Sequence, residues 1–77
     1  MIRVDNRKPL LISAHAKQRM IERRVAVEML EETLFKGSHH QGTNGRMVAE
    51  KALGHAMIRV VYVETLAHYF IFTVTKG

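Results

Sequence analysis

Seventy-seven residues with no cysteine, one proline and 47% hydrophobic side chains fit one small packed domain with a thin core, because folding at this length buries only about 60% of the unfolded surface. The missing cysteine excludes a disulfide framework, a thiolate metal site and a Cys nucleophile. Twelve Lys and Arg against seven Asp and Glu leave a net charge of +5, a field that attracts polyanions, nucleic acid first and an acidic protein second.

The expected domain spans residues 1–77, with 1–9 a flexible or extended arm. Arg3, Arg7 and Lys8 are not followed by the apolar run of a signal peptide. No stretch reaches the roughly 18 apolar residues of a membrane helix. A cytoplasmic protein with no membrane partner is the expectation.

In chain order, a short strand or extended lead-in at Leu10–Ile12 ends at Ser13, a good N-cap for a helix from Ala14. On that helix His15, Arg19 and Glu22 gather on one side while Ala16 and Met20 point to another. Arg23, Arg24 and Val25 mark a break. Val27, Leu30 and Leu34 then make the apolar stripe of a second helix, roughly Val27 to Lys36. Glu28 and Lys36 suit its dipole, Glu32 can pair with Lys36, and Gly37 is expected as the C′ residue after its end.

Ser38 to Gly45 reads as loop or weak edge strand with a tight turn at Asn44-Gly45. Arg46–Leu53 is a strand candidate and Gly54-His55 a turn. Ala56–Glu64 and His68–Thr75 carry the strongest strand signals, joined as a hairpin by Thr65-Leu66-Ala67. Simple alternation sets Phe70, Phe72 and Val74 on one face of the last strand and Tyr69, Ile71, Thr73 and Thr75 on the other. Helices followed by hairpin-linked strands predict an α+β fold, with two amino-terminal helices on one face of a three- to four-stranded antiparallel sheet. The other sheet face is left free, bearing Thr and Tyr hydroxyls and Arg59.

The segment Ile12-Ser13-Ala14-His15-Ala16-Lys17-Gln18-Arg19-Met20-Ile21-Glu22-Arg23-Arg24-Val25, with its Ser-x-His-Ala-x-x-Arg-Met helix, resembles the opening of the bacterial domain of unknown function 4258 family. Met57-Ile58-Arg59-Val60-Val61-Tyr62 and Ile71-Phe72-Thr73-Val74 are similar to its two closing strands, so the likeness covers about Leu10 to Thr75. The resemblance implies a fold related to the RelE, ParE and BrnT toxins, several of which cleave RNA. It also implies an acidic antitoxin as partner, beside RNA or the ribosome. A homodimer is a further partner expectation.

Metal-free RNA cleavage needs a group to take the 2′-hydroxyl proton, one to protonate the leaving oxygen, and cations for the transition state. His15, Arg19 and Arg59 are the catalytic candidates, the first two one helical turn apart. Glu22, Arg23, Tyr62, Thr73 and Thr75 are candidates for contacts to the substrate. Against this stands a structural reading in which His15 bonds a nearby carbonyl, Arg19 and Glu22 form a surface pair, and Arg59 only guards a strand edge. His39, His40, His55 and His68 lack metal-ligand spacing, and adjacent residues in an extended chain face opposite ways. No metal or other cofactor is expected.

Overall fold

The computed structural model describes residues 8–77; of the arm expected over 1–9, residues 1–7 lie outside the described residues. The elements are β1 (Leu10–Ile12), α1 (Ala14–Arg23), α2 (Val27–Lys36), β2 (Ser38–Gln41), β3 (Met47–Leu53), β4 (Ala56–Glu64) and β5 (Tyr69–Lys76). The strands make one sheet in the order β1-β5-β4-β3-β2. The α+β architecture with two helices therefore stands, but the sheet has five strands and is mixed. β1 pairs parallel with β5, and every other pairing is antiparallel.

Ser13 sets the start of α1 and ties it to the sheet. Its hydroxyl accepts from the Ala16 N–H at 3.0 Å and donates to the Phe72 carbonyl, also at 3.0 Å. The Ser13 N–H reaches the Ile71 carbonyl and the Tyr69 N–H reaches that of Pro9, extending the β1–β5 ladder at both ends. The helix runs through Arg23, one residue into the expected break. Arg24 then adopts the left-handed conformation (φ 59°), and the Val25 N–H returns to the Met20 carbonyl, closing the helix end.

α2 starts without a side-chain cap. Ala26 has the extended conformation of a cap residue (φ −79°, ψ 161°) but no oxygen to offer, and its own N–H is taken by the Met29 sulfur at 3.4 Å. Gly37 ends α2 as its cap residue and is extended (φ −82°, ψ −178°). Glycine is required there by proximity, because a Cβ would fall within 3 Å of the carbonyl oxygens of both Glu50 and Thr33.

The Asn44-Gly45 turn has positive φ at both central residues (58° and 75°) and an Arg46 N–H to Thr43 carbonyl bond, as a hairpin turn of the primed type demands. Ser38–Gln41, left open as loop or strand, pairs with β3 over all four residues. At the β4–β5 corner the Thr65 hydroxyl accepts from the Ala67 and His68 N–H groups and donates to the His68 carbonyl.

Simple alternation fails in β5. The pairings Val61↔Thr73 and Tyr62↔Ile71 leave Phe72 unmatched, so a bulge sits there. The extra residue reverses the phase of the strand beyond it. Val74 joins Tyr69 and Ile71 in the core, while Thr73 and Thr75 turn to the side of Phe70. The core is one cluster in which Ala16 and Met20 of α1 and Leu30 and Leu34 of α2 meet Ala49, Ile58, Val60, Tyr62, Tyr69, Ile71 and Val74 of the sheet. Both helices thus cover the same face, and among the described residues nothing packs on the other.

Candidate functional site: the open face of the sheet

Residues that alternate with the core positions occupy the open face, and the register sets them in rows. Arg59 of β4 lies between Glu50 of β3 and Thr75 of β5, with Ser38 of β2 beyond Glu50. In the next row His40, Val48, Val61 and Thr73 follow one another across the sheet. Past them come Val63, Phe70 and Leu11. The Arg59 guanidinium donates from Nε to the Glu50 carboxylate at 2.5 Å.

Arg46 precedes Met47 and so shares the side of Val48 and Glu50. Its side chain extends over β4 to set the guanidinium 3.9 Å from the centre of the Phe72 ring. Phe72 in turn meets Phe70 edge to face, ring centres 4.8 Å apart. Two partly exposed aromatic rings, a guanidinium stacked on one of them, a second guanidinium and two threonine hydroxyls therefore share a surface that no helix among the described residues covers. Rings of this kind stack on other flat π systems, and guanidinium groups donate hydrogen bonds to phosphate oxygens.

The residues singled out from sequence fall into three places. Arg59, Thr73 and Thr75 come together on the open face. His15, Arg19 and Glu22, with Gln18, line a shallow hollow on α1. There the Glu22 carboxylate accepts from Arg19 at 3.3 Å and from Gln18 at 3.0 Å, and His15 is exposed. Because α1 packs on the core side, that hollow and Arg59 lie on opposite sides of the sheet; the structure does not join the three catalytic candidates in one cleft. Arg23 is exposed in the last turn of α1, where its charge complements the helix dipole.

Tyr62 takes the third place, on the core side. Its hydroxyl is 2.6 Å from Nδ1 of His39, and its ring meets those of His39 and Tyr69 edge to face. Burial foremost, then the charges of Glu64 and Tyr69, pushes the phenol above its usual range. The two adjacent histidines part as expected, His39 toward Tyr62 and His40 toward the open face. Arg46, Phe70 and Phe72 were not marked as functional from sequence. The bulge that gathers them leaves no signal in a pattern of alternation.

The family model described as Domain of unknown function (DUF4258) matches residues 12–76. The chain belongs to this family. The match runs from the end of β1 to the last residue of β5, so apart from Leu11 the rows of the open face fall within the DUF4258 domain. No curated protein and no solved structure matches the chain. Among the described residues no helix is long and apolar enough to cross a membrane.

Proposed function

We propose that this domain acts on RNA as a RelE/BrnT-like small toxin, a metal-independent ribonuclease held in check by an acidic antitoxin protein, with the RNA lying across the open face of the sheet. The observation that carries the reading is the Arg46–Phe72 stack beside Phe70, on a face that also bears Arg59, Thr73 and Thr75 in a chain of net charge +5. Unpaired bases stack on exposed aromatic rings whatever their sequence, and RNA recognition exploits such bases in preference to the closed duplex. The guanidiniums would neutralise phosphates, and the threonine hydroxyls would meet the 2′-hydroxyls. The hollow of His15, Arg19 and Glu22, with Arg23 beside it, lies on the far side of the sheet from the RNA on this view.

Controlled expression in a bacterial host, followed by growth and by the integrity of cellular RNA, tests the reading directly. Growth arrest with RNA loss is expected. Normal growth, with purified domain leaving both RNA and translating ribosomes intact, would defeat it.

A second reading, a non-catalytic binding module, has an observation of its own. Arg19 and Arg59 each face a carboxylate, Glu22 and Glu50, so neither offers a bare cation. On this reading RNA or an acidic protein binds with normal growth and no cleavage. Affinity for RNA would still fall steeply with salt as counterions are released.

A further inference from the structure

We infer that the outer edge of β1 is where a second copy of this chain docks, the two β1 strands pairing antiparallel about a two-fold axis at Leu11 and joining two five-stranded sheets edge to edge. The inference is independent of the RNA reading. β1 ends the sheet, with β5 on one side and no strand on the other among the described residues. The Tyr69 N–H reaches the Pro9 carbonyl and the Ser13 N–H reaches the Ile71 carbonyl, so in this parallel ladder Leu11, midway between Pro9 and Ser13, also bonds toward β5. The main-chain N–H and C=O groups of Leu10 and Ile12 therefore point outward. Leu10-Leu11-Ile12 carries no charge or proline to discourage pairing, and Leu11 is 47% exposed. The opposite edge, β2, is the polar run Ser-His-His-Gln, exposed throughout.

The β1 edge is self-complementary. With Leu11 opposite Leu11 of the second copy, Leu10 falls opposite Ile12 and Ile12 opposite Leu10, and these are the residues with outward main-chain groups. In an antiparallel pair, opposed residues of this kind exchange two hydrogen bonds, so the two pairs make about four. Leu11 takes the closer, non-hydrogen-bonded position, its Cα about 4.5 Å from that of its counterpart. Both leucines lie on the open-face side, each covering the other.

On the helix side a groove runs along the same edge. Beside Leu10 it is walled by Val27, Glu31 and Phe35 of α2. Past Ile12 and Val27 it continues as an apolar stretch with Ile21 and Val25, bordered by Lys17. Ile21 is 78% exposed and Val27 48%, so a lone copy leaves apolar surface open to water here. The two ends differ in charge, Glu31 toward Leu10 and Lys17 beyond Ile12, and neither has an ion-pair partner among the described residues. The two-fold axis turns one groove end for end against the other. Glu31 of each copy then faces Lys17 of the other, and Ile21 faces the stretch beside Phe35. The same patch serves on both sides, as a closed dimer requires.

The test uses the full chain. Sedimentation equilibrium of the wild type from about 1 μM to about 1 mM, the range of small interfaces, is expected to show the mass rising from 8.8 kDa toward twice that value. The chain has no cysteine of its own, which makes Leu11→Cys a clean probe: Cα atoms about 4.5 Å apart lie within the span of a disulfide. On mild oxidation it should give a covalent dimer at concentrations where Leu66→Cys, at a 99% exposed position, does not. Leu11→Lys should keep the wild-type circular dichroism spectrum and melting temperature yet weaken dimerisation at least about 10-fold, because two like charges meet at the axis. Lys17→Glu should weaken it about 3-fold or more, and Lys17→Glu combined with Glu31→Lys should restore it. A wild type that stays monomeric throughout would overturn the inference. A dimer that Leu11→Lys leaves intact and His40→Asp dissolves would overturn it in favour of the β2 edge.

Discussion

The guanidinium of Arg46 lies 3.9 Å from the centre of the Phe72 ring, although Arg46 immediately precedes β3, Phe72 is on β5, and β4 runs between those two strands. The side chain therefore spans the middle of the open face, and a bulge presents the ring that receives it. If this stack is where RNA bases rest, Phe72→Ala should weaken binding of a single-stranded RNA oligomer by about 1 to 3 kcal/mol, the usual cost of losing one stacking ring. Fluorescence anisotropy measures it. Undiminished affinity in this variant would remove the base-stacking role.

Arg59 and Arg19 discriminate between the two sides of the sheet. Arg59→Ala should lower affinity and reduce the slope of log affinity against log salt by about 1, as loss of one phosphate contact does. His15→Ala and Arg19→Ala, on the far side, should change binding by under about 0.5 kcal/mol, the usual range for a surface substitution away from a contact. Titrations at several salt concentrations give both quantities. The opposite pattern would move the RNA site to α1.

Two positions beside α2 test the account of its ends. Ala26 has the cap conformation without a cap side chain, so Ala26→Ser should stabilise the protein by about 1 kcal/mol. Gly37→Ala should destabilise it by about 1 to 3 kcal/mol, because the added methyl has no room against the Glu50 and Thr33 carbonyls. Urea unfolding followed by circular dichroism reports both. A neutral Gly37→Ala would mean that β3 can move away from the helix end at little cost.

Tyr62 makes a prediction in alkaline solution. Burial raises its pKa, so the folded state holds the phenolic proton more tightly than the unfolded chain does. Its contribution to stability is complete below the unfolded value of about 10 and is lost as pH rises through the folded value. Tyr62→Phe should therefore show a shallower loss of stability between about pH 9 and pH 11. At neutral pH it should cost about 1 kcal/mol for the bond to His39. Equal slopes in the two proteins would show that the phenol is not the group responsible.

Much of the framework was legible in the residues because it depends on local chemistry. Ser13 offers a cap oxygen where the helix begins, Leu30 and Leu34 repeat at helical spacing, and Asn44-Gly45 tolerates the two positive φ angles of a tight turn. The DUF4258 signature was legible too, since it is a string of side chains. Partnership was decided elsewhere. Whether Leu10–Ile12 and Ser38–Gln41 become strands depends on β5 and β3 standing beside them, which supply hydrogen bonds those short segments cannot make alone. The composition of the open face depends on one unpaired residue at Phe72 that reverses the phase of β5. A period of two predicts faces only while the register is unbroken. Where it breaks, cross-strand pairing and the packing of Val74 into the core decide which β5 side chains meet solvent, and with them that Phe70, Phe72, Thr73 and Thr75 share the open face.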